Sequence, residues 1–285
     1  MLFIGAFRMR PVASNCLVTN PRKAALLRTR SVALASVLLL VFISSSGAQT
    51  DLPNAPEPQS PDVTLRNTPR NILHDQKAIW TSPAHLKLHD LEWLVPLAAG
   101  TGLAIATDQS AMNHVVSRNA DFNKKNTDAS NIMIGGFIAA PVALYSLGHF
   151  KQSPHAREAG ILTGEAMIDG VVVEQGMKLI FWRERPALNN ASGHFFKSDA
   201  RIDSSFPSSH TVVAWSAAAV LAGEYPSRWT QLFIYSAATG VSLTRVMGQQ
   251  HFPSDVLVGS AAGWLLGRYV FRKHHKESLA SDEDY

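Results

Sequence analysis

Residues 205–223 read Ser-Phe-Pro-Ser-Ser-His-Thr-Val-Val-Ala-Trp-Ser-Ala-Ala-Ala-Val-Leu-Ala-Gly. Ser208 or Ser209 is a natural N-cap, because a serine hydroxyl accepts from N–H groups that the first turn of a helix leaves unpaired. Thr211–Gly223 then runs on without a charge and is dense in alanine. Small residues let helix backbones approach closely. Five further apolar runs stand out: Trp93–Thr107, Ile132–Leu147, Ile161–Trp182, which also carries Glu165, Asp169, Glu174 and Lys178, Leu232–Leu243 and Val256–Phe271. No alternating strand pattern of useful length interrupts them, and there is no repeat. The pattern predicts an all-α fold, a helical bundle of about six core helices.

Outward from that core the chain divides into four stretches. Residues 1–48 read as a secretory signal segment: Arg28 and Arg30 precede the apolar run Ser31–Ile43, and Ser46 and Ala48 form a small-x-small site with cleavage expected after Ala48. Residues 49–70 form a Pro-rich linker, 71–276 the helical domain, and 277–285 an acidic tail. The net charge of +4 belongs to the first stretch. It holds six basic residues (Arg8, Arg10, Arg22, Lys23, Arg28, Arg30) and no acid; without it the balance is −2. A basic face for nucleic acid therefore loses its support. Cys16 is the only cysteine, so a mature chain has no disulfide and depends on packing. Most of the apolar runs are 12–16 residues long, where buried core helices and short spans cannot be separated. Two arrangements stay open: an exported protein peripheral to the membrane, or an integral six-span protein whose basic tail lies inside.

Three clusters sit where these helices end. Lys178 and Arg185 are seven apart, two turns on one helix face, and Pro186 stops that helix. Glu174, four before Lys178, is placed to pair with it, and a solvated basic helix end explains the cluster equally well. In Ser205–Thr211, capping accounts for the serines but not for His210, a cation disfavoured in a first turn unless an anion is near. That helix start is also an anion site. The third cluster is Thr244-Arg245-Val-Met-Gly-Gln-Gln-His251-Phe-Pro-Ser-Asp255. Asp255 can orient the His251 imidazole across the turn; an ordinary cap or a metal pair are the alternatives, and no further metal ligands stand nearby. The three cations, the helix start and two histidines suit a trigonal oxyanion such as a phosphoryl group in transfer.

Taken in order, K-x6-R-P, P-S-x-H and R-x5-H-x3-D resemble the signature of the type 2 phosphatidic acid phosphatase and vanadium haloperoxidase superfamily. Two positions depart from it: Ser209 stands where that family usually has Gly, and Thr244 where it usually has Ser. The motif covers Lys178–Asp255, and the helices extend the resemblance to about 71–272. It implies an active site at the helix ends, with His251 as the nucleophile that forms a phosphohistidine, Asp255 orienting it and His210 as general acid. Lys178, Arg185 and Arg245 would bind phosphate with the Ser208 hydroxyl and the Ser209 backbone N–H. The family phosphatases need no metal or other cofactor; vanadate is an inhibitor there and the cofactor in the peroxidases.

The function expected is thus hydrolysis of phosphate mono- or diphosphate esters, with lipid phosphates preferred because apolar helices adjoin the site. A soluble periplasmic acid phosphatase, a vanadium-dependent haloperoxidase and a non-enzymatic phosphate-binding envelope protein are the alternatives. The expected partners are the substrate and a membrane. The expected location is the cell envelope, with the site facing the periplasm. His149, His155, His274 and His275 read as exposed loop or tail residues. His194, Phe195 and Phe196 read as a surface loop with an aromatic anchor, Glu165 and Asp169 as a buried polar network, and Trp93, Trp215, Trp229 and Trp264 as core or interface.

Overall fold

A computed structural model describes residues 63–283. The expected signal segment and residues 49–62 of the linker lie outside those residues, as do the last two residues of the tail. Seven α-helices follow one another among the described residues, with no strand: α1 (Thr68–Thr81), α2 (Leu91–Ser110), α3 (Ala120–Phe150), α4 (Pro154–Phe181), α5 (Ser209–Glu224), α6 (Arg228–Met247) and α7 (Pro253–Glu283). The six apolar runs lie in α2–α7, except that Trp182 falls just past the end of α4. α1 is the addition: it carries too many polar residues to read as an apolar run, and it starts inside the expected linker.

Local chemistry sets several of the boundaries. The Asn119 carboxamide accepts from the Phe122 N–H and starts α3. Ser153 accepts from the Ala156 N–H, and Pro154, which has no N–H to satisfy, opens α4. The end of α4 departs from the expectation. The helix stops at Phe181, and Trp182 turns to φ 25°, ψ 56°. Lys178 and Arg185 therefore do not share a helix face; the chain leaves the helix before Pro186 acts on it.

α5 is the axis of the bundle. Thr211–Ala214 and Ser216–Ala222 are all buried, and α3, α4, α6 and α7 pack around it. The closest approach is to α7. A Cβ added at Gly263 would lie 2.4 Å from the Val212 carbonyl oxygen, and one at Gly267 would lie 2.2 Å from that of Ser216. Glycine is required at both positions, because neither carbonyl can withdraw from its own helix.

α1 lies on the flank of α4 and supplies the partners for the buried acids. Asn71 donates to Glu165 at 3.3 Å, and Gln76 donates to Asp169 at 2.8 Å. The structure corrects the reading of His274. It is buried at 4% exposure, and its Nε2 lies 2.8 Å from an Asp75 carboxylate oxygen that α1 brings to α7. Trp215 and Trp264 are half-buried and hydrogen-bonded, to Ser242 and Tyr235. Trp93 and Trp229 are exposed rather than core. Large apolar side chains are exposed on two helices, Trp93, Val95, Leu103 and Ile105 on α2 and Ile132, Ile138 and Val142 on α3. α3 is long and apolar enough to cross a membrane.

Candidate active site

The C-terminal ends of α4 and α6 and the N-terminal ends of α5 and α7 meet at one end of the bundle, beside the early turns of α3. Between them opens a cavity of about 470 Å³, lined by Thr127, Asn131, Arg185, Asp203, Ser209, His210, Arg245, Gln250 and His251. Five of the eight residues singled out from the sequence thus belong to the cleft or its wall directly: Arg185, Ser209, His210, Arg245 and His251. The other three, Lys178, Ser208 and Asp255, stand behind it.

His251 is 1% exposed and follows the end of α6. Its Nδ1 lies 2.8 Å from the Ser205 carbonyl, which can only accept, so Nδ1 carries the proton. That leaves the Nε2 lone pair for a ligand. Asp255 is second to that carbonyl: its Oδ2 is 3.7 Å from Nδ1. The same oxygen accepts from the Ser205 hydroxyl at 2.5 Å and from the Phe252 N–H at 2.9 Å. Asp255 therefore acts on the imidazole largely by fixing the loop that supplies the carbonyl. Burial, followed by the Arg185 and Arg245 charges, pushes His251 down to about 4, against the pull of Asp255.

His210, in the first turn of α5, is held by Asn131 of α3, whose Oδ1 is 3.1 Å from Nε2. Burial and then the charge of Arg245, with His251, Arg185 and Lys178 behind it, push His210 down to about 4 as well. Both imidazoles are therefore neutral at pH 7. Arg245 reaches the cleft from the last turn of α6 and donates to Ser130 at 3.2 Å. Burial and neighbouring Arg185 lower it to about 10.

Arg185 arrives from the loop after α4. It is tied by Nη1 to the Gln250 carbonyl at 3.1 Å and by Nη2 to the Asp203 carboxylate at 2.6 Å. Lys178 is buried with its Nζ 3.0 Å from both Glu174 and the Ser209 hydroxyl. The pairing with Glu174 is thus formed, and the ammonium reaches the cleft only through Ser209. Ser208 occupies the N-cap position of α5, but its fully buried hydroxyl accepts from Thr211 and caps no backbone N–H. Its hydroxyl is not on the cleft wall. The first backbone N–H groups of α5 have no carbonyl within the helix to bond and sit at the positive end of its dipole.

The residue that sequence reading passed over is Arg183. It is 2% exposed and lies between the faces of Phe195 and Phe252, 4.6 and 4.0 Å from the ring centres. Its guanidinium donates to the Gly193 carbonyl at 3.0 Å, to Ser254 and Asp255 at 2.7 Å each, and to Asp108 at 2.8 Å. Asp108, at the end of α2, also accepts from the Ser254 N–H at 3.1 Å and from its hydroxyl. Arg183 thus joins α2, the 193–195 loop and the start of α7, and it is what locks Asp255. The one sequence signal was Asp108 itself, a carboxylate near the C-terminal end of an apolar helix, where the dipole disfavours it. In the same loop His194 is exposed and pairs with Glu184, while Phe195 and Phe196 pack on Phe181 as the expected anchor.

Comparison with known proteins followed the same region. Residues 159–279 match the model of the PAP2 superfamily. A lipid A 1-phosphatase of Porphyromonas gingivalis is 33% identical over 106 residues, which are 36% of this chain and 21% of that protein. The chain thus matches about a fifth of that relative's length. No solved structure gives a significant match.

Proposed function

From the match of residues 159–279 to the PAP2 superfamily, we propose that the chain is a phosphatase of lipid phosphates or diphosphates, working through a phosphohistidine intermediate. The observation that carries the reading is the buried His251, whose Nδ1 proton is committed to the Ser205 carbonyl while its other edge lines a cleft holding Arg185 and Arg245.

The chemistry follows from the groups present. A phosphate monoester enters with its oxygens toward Arg185, Arg245 and the N-terminal turn of α5, with Lys178 reinforcing through Ser209. His251 Nε2 attacks phosphorus; the P–O bond to the leaving group breaks, and that oxygen takes a proton from His210. Neutral His210 then removes a proton from water, which attacks the phosphohistidine and releases phosphate and free His251. At neutral pH His210 carries no extra proton in the empty site. Burial is the main cause of that; the incoming dianion offsets the Arg245, Arg185 and Lys178 charges that add to it, so substrate binding raises the proton affinity of His210 toward the acid form.

The preference for lipid rests on Leu179, Ile180 and Leu243, exposed within two residues of Lys178 and Arg245. The exposed apolar side chains of α2 and α3 support membrane association, and the relative's printed activity on lipid A points the same way. The cell envelope, with the site on its outer side, is the location that agrees with the signal-like N-terminus.

The test is His251→Ala in full-length protein, assayed on a long-chain lipid phosphate and a short-chain analogue. The expected result is a loss of turnover of at least about 10³-fold, with an acid-labile phosphoenzyme trapped in the unsubstituted chain only. Turnover within tenfold of the unsubstituted chain would overturn the assignment. Equal kcat/KM on the two substrates would remove the lipid preference alone.

A further inference from the structure

At the other end of the bundle, about 30 Å along α4 from Lys178 by helix rise, a second group of chemically active side chains converges. Glu158 projects from the second turn of α4, Glu224 from the last turn of α5 and His275 from α7. One donor atom from each lies within 4.8 Å of the others. The catalytic proposal uses none of them.

Two features set this apart from an ordinary surface ion pair. Glu224 has a side chain of 0% exposure, and its Oε1 has no hydrogen-bond donor among the described residues. A buried carboxylate oxygen without a donor is costly, more so with a second carboxylate facing it. Glu158 Oε1 and His275 Nδ1 are likewise buried without a hydrogen-bond partner, and they stand 3.5 Å apart. The other oxygen of Glu224 is also without a hydrogen bond, and it faces His155 as an ion-pair partner, whose Nε2 is 3.0 Å away and whose ring packs edge-on to Tyr225. His275 is in turn stacked on Phe271, with ring centres 4.9 Å apart. The side chains are thus held by neighbours that leave one donor atom of each pointing at a shared centre.

We propose that Glu158, Glu224 and His275 form a binding site for one divalent transition-metal ion of the Zn²⁺ class, with His155 orienting the Glu224 carboxylate. Two carboxylates and an imidazole match the ligand types of such ions, and a histidine holding the free oxygen of a ligating carboxylate is the usual outer support. Shifts of under about 1 Å per donor bring the set to the roughly 2 Å bonds that such an ion requires. The ion neutralises two carboxylates and ties the N-terminal turns of α4 and the end of α5 to the C-terminal part of α7. It takes no part in phosphoryl transfer, because it lies at the opposite end of the bundle.

The experiment uses the full-length chain, stripped with a chelator and dialysed, then titrated with Zn²⁺ by calorimetry and checked by metal analysis. The expected result is one Zn²⁺ per chain with a Kd of micromolar or tighter and a raised thermal midpoint. Glu224→Gln and His275→Gln should each weaken binding at least tenfold while phosphatase turnover stays within twofold, which also shows that the variants fold. His251→Ala should bind Zn²⁺ as the unsubstituted chain does. No saturable binding, or binding unchanged in both variants, overturns the site. Loss of binding in His251→Ala does so too, because the ion then sits in the phosphate cleft.

Discussion

Replacing Arg183 with lysine keeps the charge and removes the fork. In the native chain four N–H donors reach four separate acceptors on three segments, and two ring faces cover the guanidinium. A lysine ammonium is a point charge on a flexible stem and cannot hold Asp108, Ser254, Asp255 and the Gly193 carbonyl together. Two hydrogen bonds to charged or buried partners are lost at roughly 1.5–3 kcal/mol each, partly offset by relaxation of the loop, so about 3 kcal/mol is expected. Arg183→Met leaves Asp108 and Asp255 buried without a cation and should cost about 4–5 kcal/mol.

In a domain of this size about 1 kcal/mol corresponds to roughly 2–4 °C, which puts the lysine variant about 6–12 °C below the native midpoint. Asp255 loses its Oδ1 anchor, and with it the Ser205 carbonyl that fixes the His251 tautomer. Turnover should therefore fall more steeply than KM rises. Thermal unfolding and steady-state kinetics on the same preparation provide the measurement. A lysine variant within 2 °C of the native midpoint, with native kcat, would refute the view that this fork holds the site together.

Acidification provides a second test. His251 sits at about 4 in the folded chain against 6.5 when unfolded, so the unfolded state binds the extra proton first. Its contribution to stability is complete above about pH 6.5 and is lost as pH falls toward 4; the shift amounts to about 3 kcal/mol. Denaturant midpoints from pH 7 to pH 4 should show it, and His251→Gln should flatten the curve. Asp203→Ala should leave stability within about 1 kcal/mol, because the carboxylate is 77% exposed. It should also lower KM severalfold, since it frees Arg185 and removes a negative charge facing the substrate; a raised KM would show that Asp203 assists binding. Gly263→Ala should cost about 2 kcal/mol by driving a methyl into the Val212 carbonyl, whereas Gly259→Ala, with 3.2 Å to its nearest neighbour, should cost clearly less. Equal thermal midpoints for the two would contradict the close α5–α7 contact.

The helices were legible because burial along a whole face imposes a long apolar run, and such runs survive in any listing of residues. Ser209, His210, Arg245 and His251 were legible too, because each stands in or beside the first or last turn of a helix, within a short stretch of recognisable chemistry. Arg183 was not. Nothing near it in the chain separates it from Arg185 two positions on, yet one is buried at 2% exposure and the other lines the cleft. The difference arises when α4 unwinds at Trp182 and turns successive side chains to different neighbours. Glu158, Glu224 and His275 were unreadable for a related reason, being brought together from three helices.

Amino-acid order alone specifies an all-α chain, the course of six of the seven described helices, and a set of cations and imidazoles spaced for an oxyanion, because these depend on periodicity and on contacts within a few residues. Folding selects which of those cations are used up. Lys178 is spent on Glu174 and Arg183 on two aspartates, whereas Arg185 and Arg245 keep a face on the cleft. Charge partners are chosen by distance in space, and over the 75 residues between Asp108 and Arg183 the sequence carries no record of that distance.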